Sequence, residues 1–172
     1  MHLSEDLVQN IILGAIFMFF ISIAWLLAEF KGMKDEMKER FGINNETLKL
    51  RLQAYERLTL FAERSSLKNL VSRTVSGGMT VVDLQLALLE TIRTEYEYNV
   101  SQQIYLSPEM WKAIGNLKEQ NIFIINQLAA TLPTQGLAIE LSKRILEYVA
   151  STNSELNTVV LSALQFEAKK LL

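Results

Sequence analysis

A long stretch near the N-terminus has no charged residue and reads LVQNIILGAIFMFFISIAWLLA, from Leu7 to Ala28. As a helix these roughly 22 residues measure about 33 Å, and the hydrocarbon core of a bilayer measures about 30 Å. The aliphatic and aromatic side chains between Ile11 and Leu27 favour insertion enough to outweigh Gln9 and Asn10 near one end. The pattern predicts a transmembrane helix over residues 7–30, preceded by a short N-terminus of residues 1–6.

A cleaved signal peptide and a buried core helix are the alternatives to this span. A signal peptide starts with basic residues and has an apolar core of about 7–15 residues. This chain starts with Glu5 and Asp6 instead, and its apolar run continues through Trp25 past the small residues at 22–24. A buried core helix seldom stays apolar on every side for about six turns. We therefore expect a retained single-pass anchor.

The residues that flank the span differ in charge. No Lys or Arg precedes it, whereas Lys31, Lys34, Lys38 and Arg40 follow it closely. Since basic flanks remain on the cytoplasmic side, we expect the N-terminus outside the cytoplasmic membrane and the C-terminal part in the cytoplasm.

Small residues mark one side of the predicted span. Ala15 and Ser22 are seven residues apart, with Gly14 beside the first. Small side chains let a second helix approach closely, so these three are a candidate interface within the membrane. The alternative, that the helix faces lipid there, is equally compatible with the sequence.

The rest of the chain has the periodicity of amphipathic helices. Residues 31–44 carry both charge signs and are expected to form a helical stalk that ends at Gly42 and the Asn44–Asn45 pair. A second helix is expected from Glu46 to about Arg64, although residues 48–54 alternate as a strand would.

Further helix starts follow at three places: Ser65–Ser66, the Thr80 and Asp83 capping box before a long helix, and Ser107 followed by Pro108. The C-terminal part is expected to form one long helix or two shorter ones, with a break near residues 151–154. The fold prediction is all-α, with residues 45–172 forming a cytoplasmic bundle of four to six helices.

Polar residues extend the apolar stripe of the long helix that starts near Val81. Tyr96, Asn99 and Gln103 continue the three- and four-residue spacing of its Leu and Ile positions. A buried amide without a hydrogen bond costs about 1–3 kcal/mol, so these groups need partners. The turn from Tyr105 to Pro108 is the nearest candidate, and Arg51, Tyr55 and Arg57 are more distant ones. The cluster is either a clasp that fixes how helices meet or the mouth of a site.

Two segments carry a resemblance to a known family: LRLQAYERLTLFAER at 50–64 and EYEYNVSQQIYLSPEMW at 95–111. The chain resembles an uncharacterised Bacteroidota family of small single-pass membrane proteins with a helical domain. That family has no assigned activity, so the resemblance implies an architecture, in a bacterial inner membrane, and no catalytic residue. It implies a defining cluster, which consists of Tyr55, Glu56, Arg57, Asn99, Gln102, Gln103 and Tyr105.

Composition limits the chemistry. The 172 residues contain no Cys and one His, His2, and the formal net charge is −2. We therefore expect no nucleic-acid partner, no metal or cofactor and no catalytic residue, because there is no basic stripe, no phosphate-binding loop and no base for a Ser nucleophile.

A non-enzymatic membrane-anchored scaffold or accessory subunit is the function that the sequence favours. Its partners would be the lipid bilayer and either other membrane subunits or a second copy. The alternative is a membrane-tethered sensor of a small ligand with a pocket around Tyr96, Asn99, Gln103 and Trp111, and an enzyme of an unfamiliar type is the third hypothesis. The candidate structural or interaction cluster comprises Arg51, Tyr55, Glu56, Arg57, Tyr96, Asn99, Gln102, Gln103, Tyr105 and Trp111.

Overall fold

The structure is a computed structural model that describes residues 5–151 and 156–172. Over these ranges the chain is all-α, as predicted, and an isolated antiparallel bridge joins Thr80 and Leu137. The elements in chain order are α1 (Glu5–Ser65), α2 (Leu67–Thr74), α3 (Val81–Asn99), a 3-10 helix (Val100–Tyr105), α4 (Pro108–Ala129), α5 (Ala138–Ser151) and α6 (Leu156–Lys169). The chain divides into two compact units, Met1–Thr47 and Leu48–Leu172.

Helix α1 continues through the residues where the sequence predicts a break. Gly42 and the Asn44–Asn45 pair lie inside it, and the Thr47 hydroxyl donates a 3.0 Å hydrogen bond to the Ile43 carbonyl, four residues back. A glycine inside a helix costs only about 1 kcal/mol, which the turns on either side outweigh. The predicted stop at Gly42 and the separate helix start at Asn45 are therefore wrong, and residues 48–54 are helical.

The first unit exposes its apolar side chains. Within α1, every side chain that the structure describes from Leu13 to Thr47 is exposed, including those of Phe17, Phe20, Trp25 and Leu27. The structure does not describe residues 1–4 of the predicted N-terminus.

The second unit contains two clusters of buried apolar side chains. The first joins α2, α3, α5 and the C-terminal half of α4, and the second joins the end of α1, the N-terminal half of α4 and α6. Fully buried side chains at their centres are Leu84, Leu88, Ile92, Ile125, Leu141 and Ile145 in the first, and Leu58, Phe61, Ile114, Leu117 and Leu164 in the second. Helix α4 contributes to both clusters and so connects them.

The three helix starts predicted after residue 64 are confirmed, at Ser65–Ser66, at Thr80 and at Ser107. The Thr80 hydroxyl accepts from the Asp83 amide, and the Asp83 carboxylate accepts from the Thr80 amide, which forms the capping box of α3. Ser107 caps α4 through the Met110 amide, with Pro108 in the first turn. Ser66 stands at the N-cap of α2 without a side-chain bond.

Helix α2 ends before the glycine pair, where Gly78 has a φ of +84°. A side chain is strained at that φ, so the turn into α3 favours glycine there. Helix α5 ends at Ser151 and α6 begins at Leu156, and the predicted break near residues 151–154 falls largely outside the described residues.

Candidate functional site

The 3-10 helix changes which polar side chains face inward after α3. Asn99 and Gln102 are buried, whereas Gln103 is exposed. In a 3-10 helix, residues three apart lie above one another, so the inward position passes from Asn99 to Gln102. The prediction that Gln103 continues the buried stripe is wrong, because it assumed α-helical spacing beyond Asn99.

Asn99 finds its partner inside its own helix. Its Nδ2 donates to the Glu95 carbonyl at 2.7 Å, and the Gln102 Nε2 donates to the Ser101 hydroxyl at 3.1 Å. The turn backbone at Tyr105 to Pro108, which the sequence suggested as the partner, does not hold Asn99. Both buried amides are satisfied locally.

Tyr96 and Trp111 come together as a stack. Their ring centroids lie 5.2 Å apart at an interplanar angle of 26°, and Phe61 meets the Tyr96 ring edge-on at 6.1 Å. The Lys118 ammonium lies 4.5 Å from the centroid of the Tyr96 ring. The two rings pack against each other, and no sequence pattern indicated Lys118 as their neighbour.

Two arginines of α1 reach the end of α3 and the residues that follow it. Arg51 Nε donates to the Tyr105 carbonyl at 3.4 Å, and Arg57 Nη2 donates to the Tyr98 carbonyl at 3.3 Å. The Arg57 guanidinium also lies 4.7 Å from the centroid of the Tyr98 ring. These arginines bind the carbonyls left free where the α-helical hydrogen-bond pattern ends. Glu56, between them in sequence, is exposed.

Glu167 of α6 forms hydrogen bonds to α1 and to the N-terminal cap of α4. Its role was not predicted from the sequence. Its carboxylate accepts from the Tyr55 hydroxyl at 2.7 Å and from the Ser107 hydroxyl at 2.8 Å. Burial and the neighbouring Glu167 carboxylate raise the pKa of Tyr55 from 10.0 to about 12. Glu167 occupies the apolar face of α6 with Val160 and Leu164, and a carboxylate at such a position is the signal that could have revealed it.

Two further side-chain amides, whose roles were also not predicted from the sequence, bind the C-terminal end of α1. Asn121 Nδ2 donates to the Ser65 carbonyl at 2.8 Å, and Asn157 Nδ2 donates to the Ala62 carbonyl at 2.7 Å. The last carbonyls of a helix lack partners within it, so these side chains complete α1. Both lie in the apolar stripes of α4 and α6, where an amide needs a partner.

The surface at the C-terminal end of α3 is mostly apolar and aromatic. Tyr98 is 72% exposed and Ile104 is 74% exposed, and Val100 and Gln103 are exposed beside them in sequence. We call these four residues the α3-end surface. Its side chains can contact another protein, whereas the amides of Asn99 and Gln102 are already occupied.

The candidate membrane interface lies in the first unit. A Cβ added at Gly14 would meet nothing within 4 Å, Ala15 is exposed, and the Ser22 hydroxyl donates to the Phe19 carbonyl at 2.8 Å. The structure places no neighbour against these residues, and their role as an interface stays a prediction. Across residues 5–151 and 156–172, His, Asp and Glu side chains do not form a group of three that could hold a metal ion.

Over the described residues, fold and site together define an all-α protein in which the end of α1 shares a buried cluster with α4 and α6. The amides and arginines of the candidate site are hydrogen-bonded inside the fold. The chain belongs to a family of unknown function, DUF7935, whose match covers residues 4–171. No match was found among curated proteins or among solved structures. This match confirms the prediction that the chain belongs to an uncharacterised family. The Bacteroidota source and the membrane placement stay predictions.

Proposed function

We propose that the protein is a single-pass protein of a bacterial cytoplasmic membrane that acts as a scaffold or accessory subunit. In this proposal residues 7–30 cross the bilayer, residues 1–6 lie outside, and the helical unit docks partner subunits in the cytoplasm. No step of the proposed function requires catalysis.

The exposure of the apolar part of α1 carries the proposal. Helix α1 contains a window with a mean hydropathy of 2.1 whose residues are not buried. Burial of apolar surface contributes about 25 cal/mol per Å², so aliphatic and aromatic side chains on every side of a helix are stable in lipid and costly in water. The bundle has its own buried clusters, so its stability does not require these side chains.

The state of the polar cluster supports docking over catalysis. Asn99, Gln102 and Glu167 are engaged in hydrogen bonds within the fold, and Arg51 and Arg57 bind backbone carbonyls. Groups held in this way stabilise the junction between α3 and α4. The α3-end surface that they support remains exposed and can bind a protein.

The alternative function, a small-ligand sensor, has weaker support. It requires space between the aromatic and amide side chains. The stacked rings of Tyr96 and Trp111 contact each other instead, and Gln103 faces outward.

Membrane placement and orientation can be tested with single cysteines, because the native chain has none. We expect the chain to stay with membranes after alkaline carbonate extraction. A membrane-impermeant maleimide should label Ser4→Cys in intact cells, and should label Ser162→Cys, which lies on an exposed position of α6, only after lysis. A chain released by carbonate would contradict the anchor, and the reverse labelling pattern would contradict the orientation.

Docking can be tested by tagged purification from the native membrane in mild detergent. We expect one or more membrane subunits to co-purify, and to be lost when Ile104→Glu places a charge in the α3-end surface. Leu86→Glu is the control, because Leu86 of α3 is 60% exposed outside that surface. Recovery of the wild-type chain without a partner protein would remove the support for an accessory subunit of other proteins.

A further inference from the structure

The last residue of the proposed span and the stalk that follows it share an apolar face. Phe30, Met33, Met37 and Phe41 are three or four residues apart in α1, and all four side chains are exposed. Residues at this spacing lie on one face of a helix. We call these four residues the stalk face.

Charged residues flank the stalk face on both sides. At 100° per residue, Glu29 and Glu36 fall on one flank, together with Arg40, and Lys34 and Lys38 fall on the other. The first flank is therefore of mixed sign, with Arg40 nearest to the face and Glu29 and Glu36 farther from it, and the opposite flank carries lysines only.

We propose that the stalk face binds the same face of a second copy in a parallel, in-register pair. The inference rests on the proposed function, because a shared membrane gives two copies the same direction and the same depth. In a parallel pair, a flanking residue meets the residue five positions later on the opposite flank of the other helix. Glu29 then meets Lys34 of the second copy, and two-fold symmetry forms the pair twice. By the same rule Glu36 meets Phe41, so Glu29 with Lys34 is the charge pair that this register defines.

The charge pattern selects this occupant over a lipid surface. A helix that lies on an anionic membrane carries basic residues along its polar side, next to the apolar face. Here Glu29 and Glu36, on the flank that also carries Arg40, would face lipid phosphates with like charge. A second copy instead offers a lysine opposite Glu29, and it covers Met33 and Met37 with identical apolar side chains.

Disulfide cross-linking in native membranes tests the pair. Cysteines join when their Cα atoms lie about 4.4–6.8 Å apart, which holds for a central position of a parallel pair. We expect Met37→Cys to form a disulfide-linked homodimer under mild oxidation. Glu39→Cys, on the opposite side of the helix, is the matched control and should stay monomeric.

A charge swap tests the register. In the Met37→Cys background, Lys34→Glu places two acidic residues opposite each other and should weaken pairing by about three- to tenfold, since two charge pairs per dimer are reversed. The double variant Glu29→Lys with Lys34→Glu restores opposite charges and should recover the cross-linked fraction.

The outcomes separate this inference from the proposed function. Carbonate extraction of each variant reports membrane insertion by itself, and a released wild-type chain would overturn both. A retained chain in which Met37→Cys stays monomeric, cross-links as strongly as Glu39→Cys, or links only to another protein would overturn the pair alone. A charge swap without recovery would overturn the register and with it the in-register proposal.

Discussion

The two units of the chain have similar apolar side chains in opposite surroundings. In Met1–Thr47 the described Phe, Leu, Ile and Trp side chains are exposed, and in Leu48–Leu172 side chains of the same types form two buried clusters. The difference lies in their arrangement along the helix. Apolar residues surround the N-terminal part of α1, whereas in the bundle they form stripes with polar residues on the other side.

This contrast shows which medium each unit requires. A stripe is buried by packing against another stripe, which leaves the polar side of each helix in water. A helix that is apolar all round has no side suited to water and requires lipid or a complete protein cover. The two units should therefore respond differently to the same substitution.

The largest effect is expected from charges in the middle of the proposed span. Replacing Phe19 and Ile23 by Arg should make insertion roughly 6–8 kcal/mol less favourable, since each Arg costs about 2.5–3.5 kcal/mol where an apolar residue contributed favourably. We expect the double variant to leave the carbonate-resistant membrane fraction.

Leu86→Arg with Phe123→Arg is the matched control, because these bundle residues are 60% and 61% exposed, close to the 62% of Phe19. Charges at these positions cost little in water, so this variant should remain in the membrane. Equal release of both double variants would contradict the difference between the units.

The next largest effect is on the free energy of unfolding, and it should distinguish two leucines of α1 within the bundle. Leu58 is fully buried and Leu60 is 54% exposed. Leu58→Ala should lower the free energy of unfolding by about 2–5 kcal/mol through lost burial and a cavity, whereas Leu60→Ala should change it by about 0.5 kcal/mol or less.

The measurement is urea unfolding in detergent, followed by Trp111 fluorescence in a Trp25→Phe background, since these are the two tryptophans of the chain. Trp111 packs on Tyr96, so its signal reports on the bundle. Similar losses for both leucine variants would mean that the face of α1 assigned to the core is wrong.

A smaller effect should separate Asn99 from Gln103. Asn99→Ala removes a buried amide that bonds the Glu95 carbonyl, and should cost about 1–3 kcal/mol in the same assay. Gln103→Ala removes an exposed side chain and should cost about 0.5 kcal/mol or less. Gln103→Ala then tests binding at the α3-end surface without loss of fold. Equal losses of stability for the two variants would contradict the finding that Asn99 faces inward and Gln103 faces outward.

Periodicity predicted most of the fold because each helix of the bundle has an apolar stripe and a recognisable start. The capping box at Thr80 and the Ser107–Pro108 start are local in sequence, and both are confirmed. The break at Gly42 was wrong because one residue's propensity is small compared with the helical turns on both sides.

The candidate cluster was less predictable because its partners are distant in sequence. Glu167 bonds Tyr55 across 112 positions, and Asn157 bonds Ala62 across 95. Such pairs depend on how helices pack, which no local pattern specifies. The inward-facing residue is Gln102 and not Gln103 because a 3-10 helix follows Asn99. Such turns are frequent at the ends of α-helices, and the three- and four-residue spacing of α3 did not indicate where one begins.

The smallest expected effect is a dependence of bundle stability on alkaline pH. The five tyrosines of the chain, Tyr55 among them, all lie in the second unit. The pKa of Tyr55 is raised from 10.0 to about 12 by burial and by Glu167. An unfolded chain loses this proton near pH 10 and the folded chain retains it, so the contribution is complete below about pH 10 and declines as the pH rises towards 12.

Tyr55→Phe should remove that decline. The stability difference between wild type and Tyr55→Phe should shrink by about 1 kcal/mol between pH 9 and pH 11, measured by urea unfolding with the Trp111 signal. Tyr98→Phe is the control for removal of a tyrosine hydroxyl from an exposed position, since Tyr98 is 72% exposed. A wild-type to Tyr55→Phe difference that does not change with pH would mean that the Tyr55 hydroxyl is not held by Glu167 in the folded bundle.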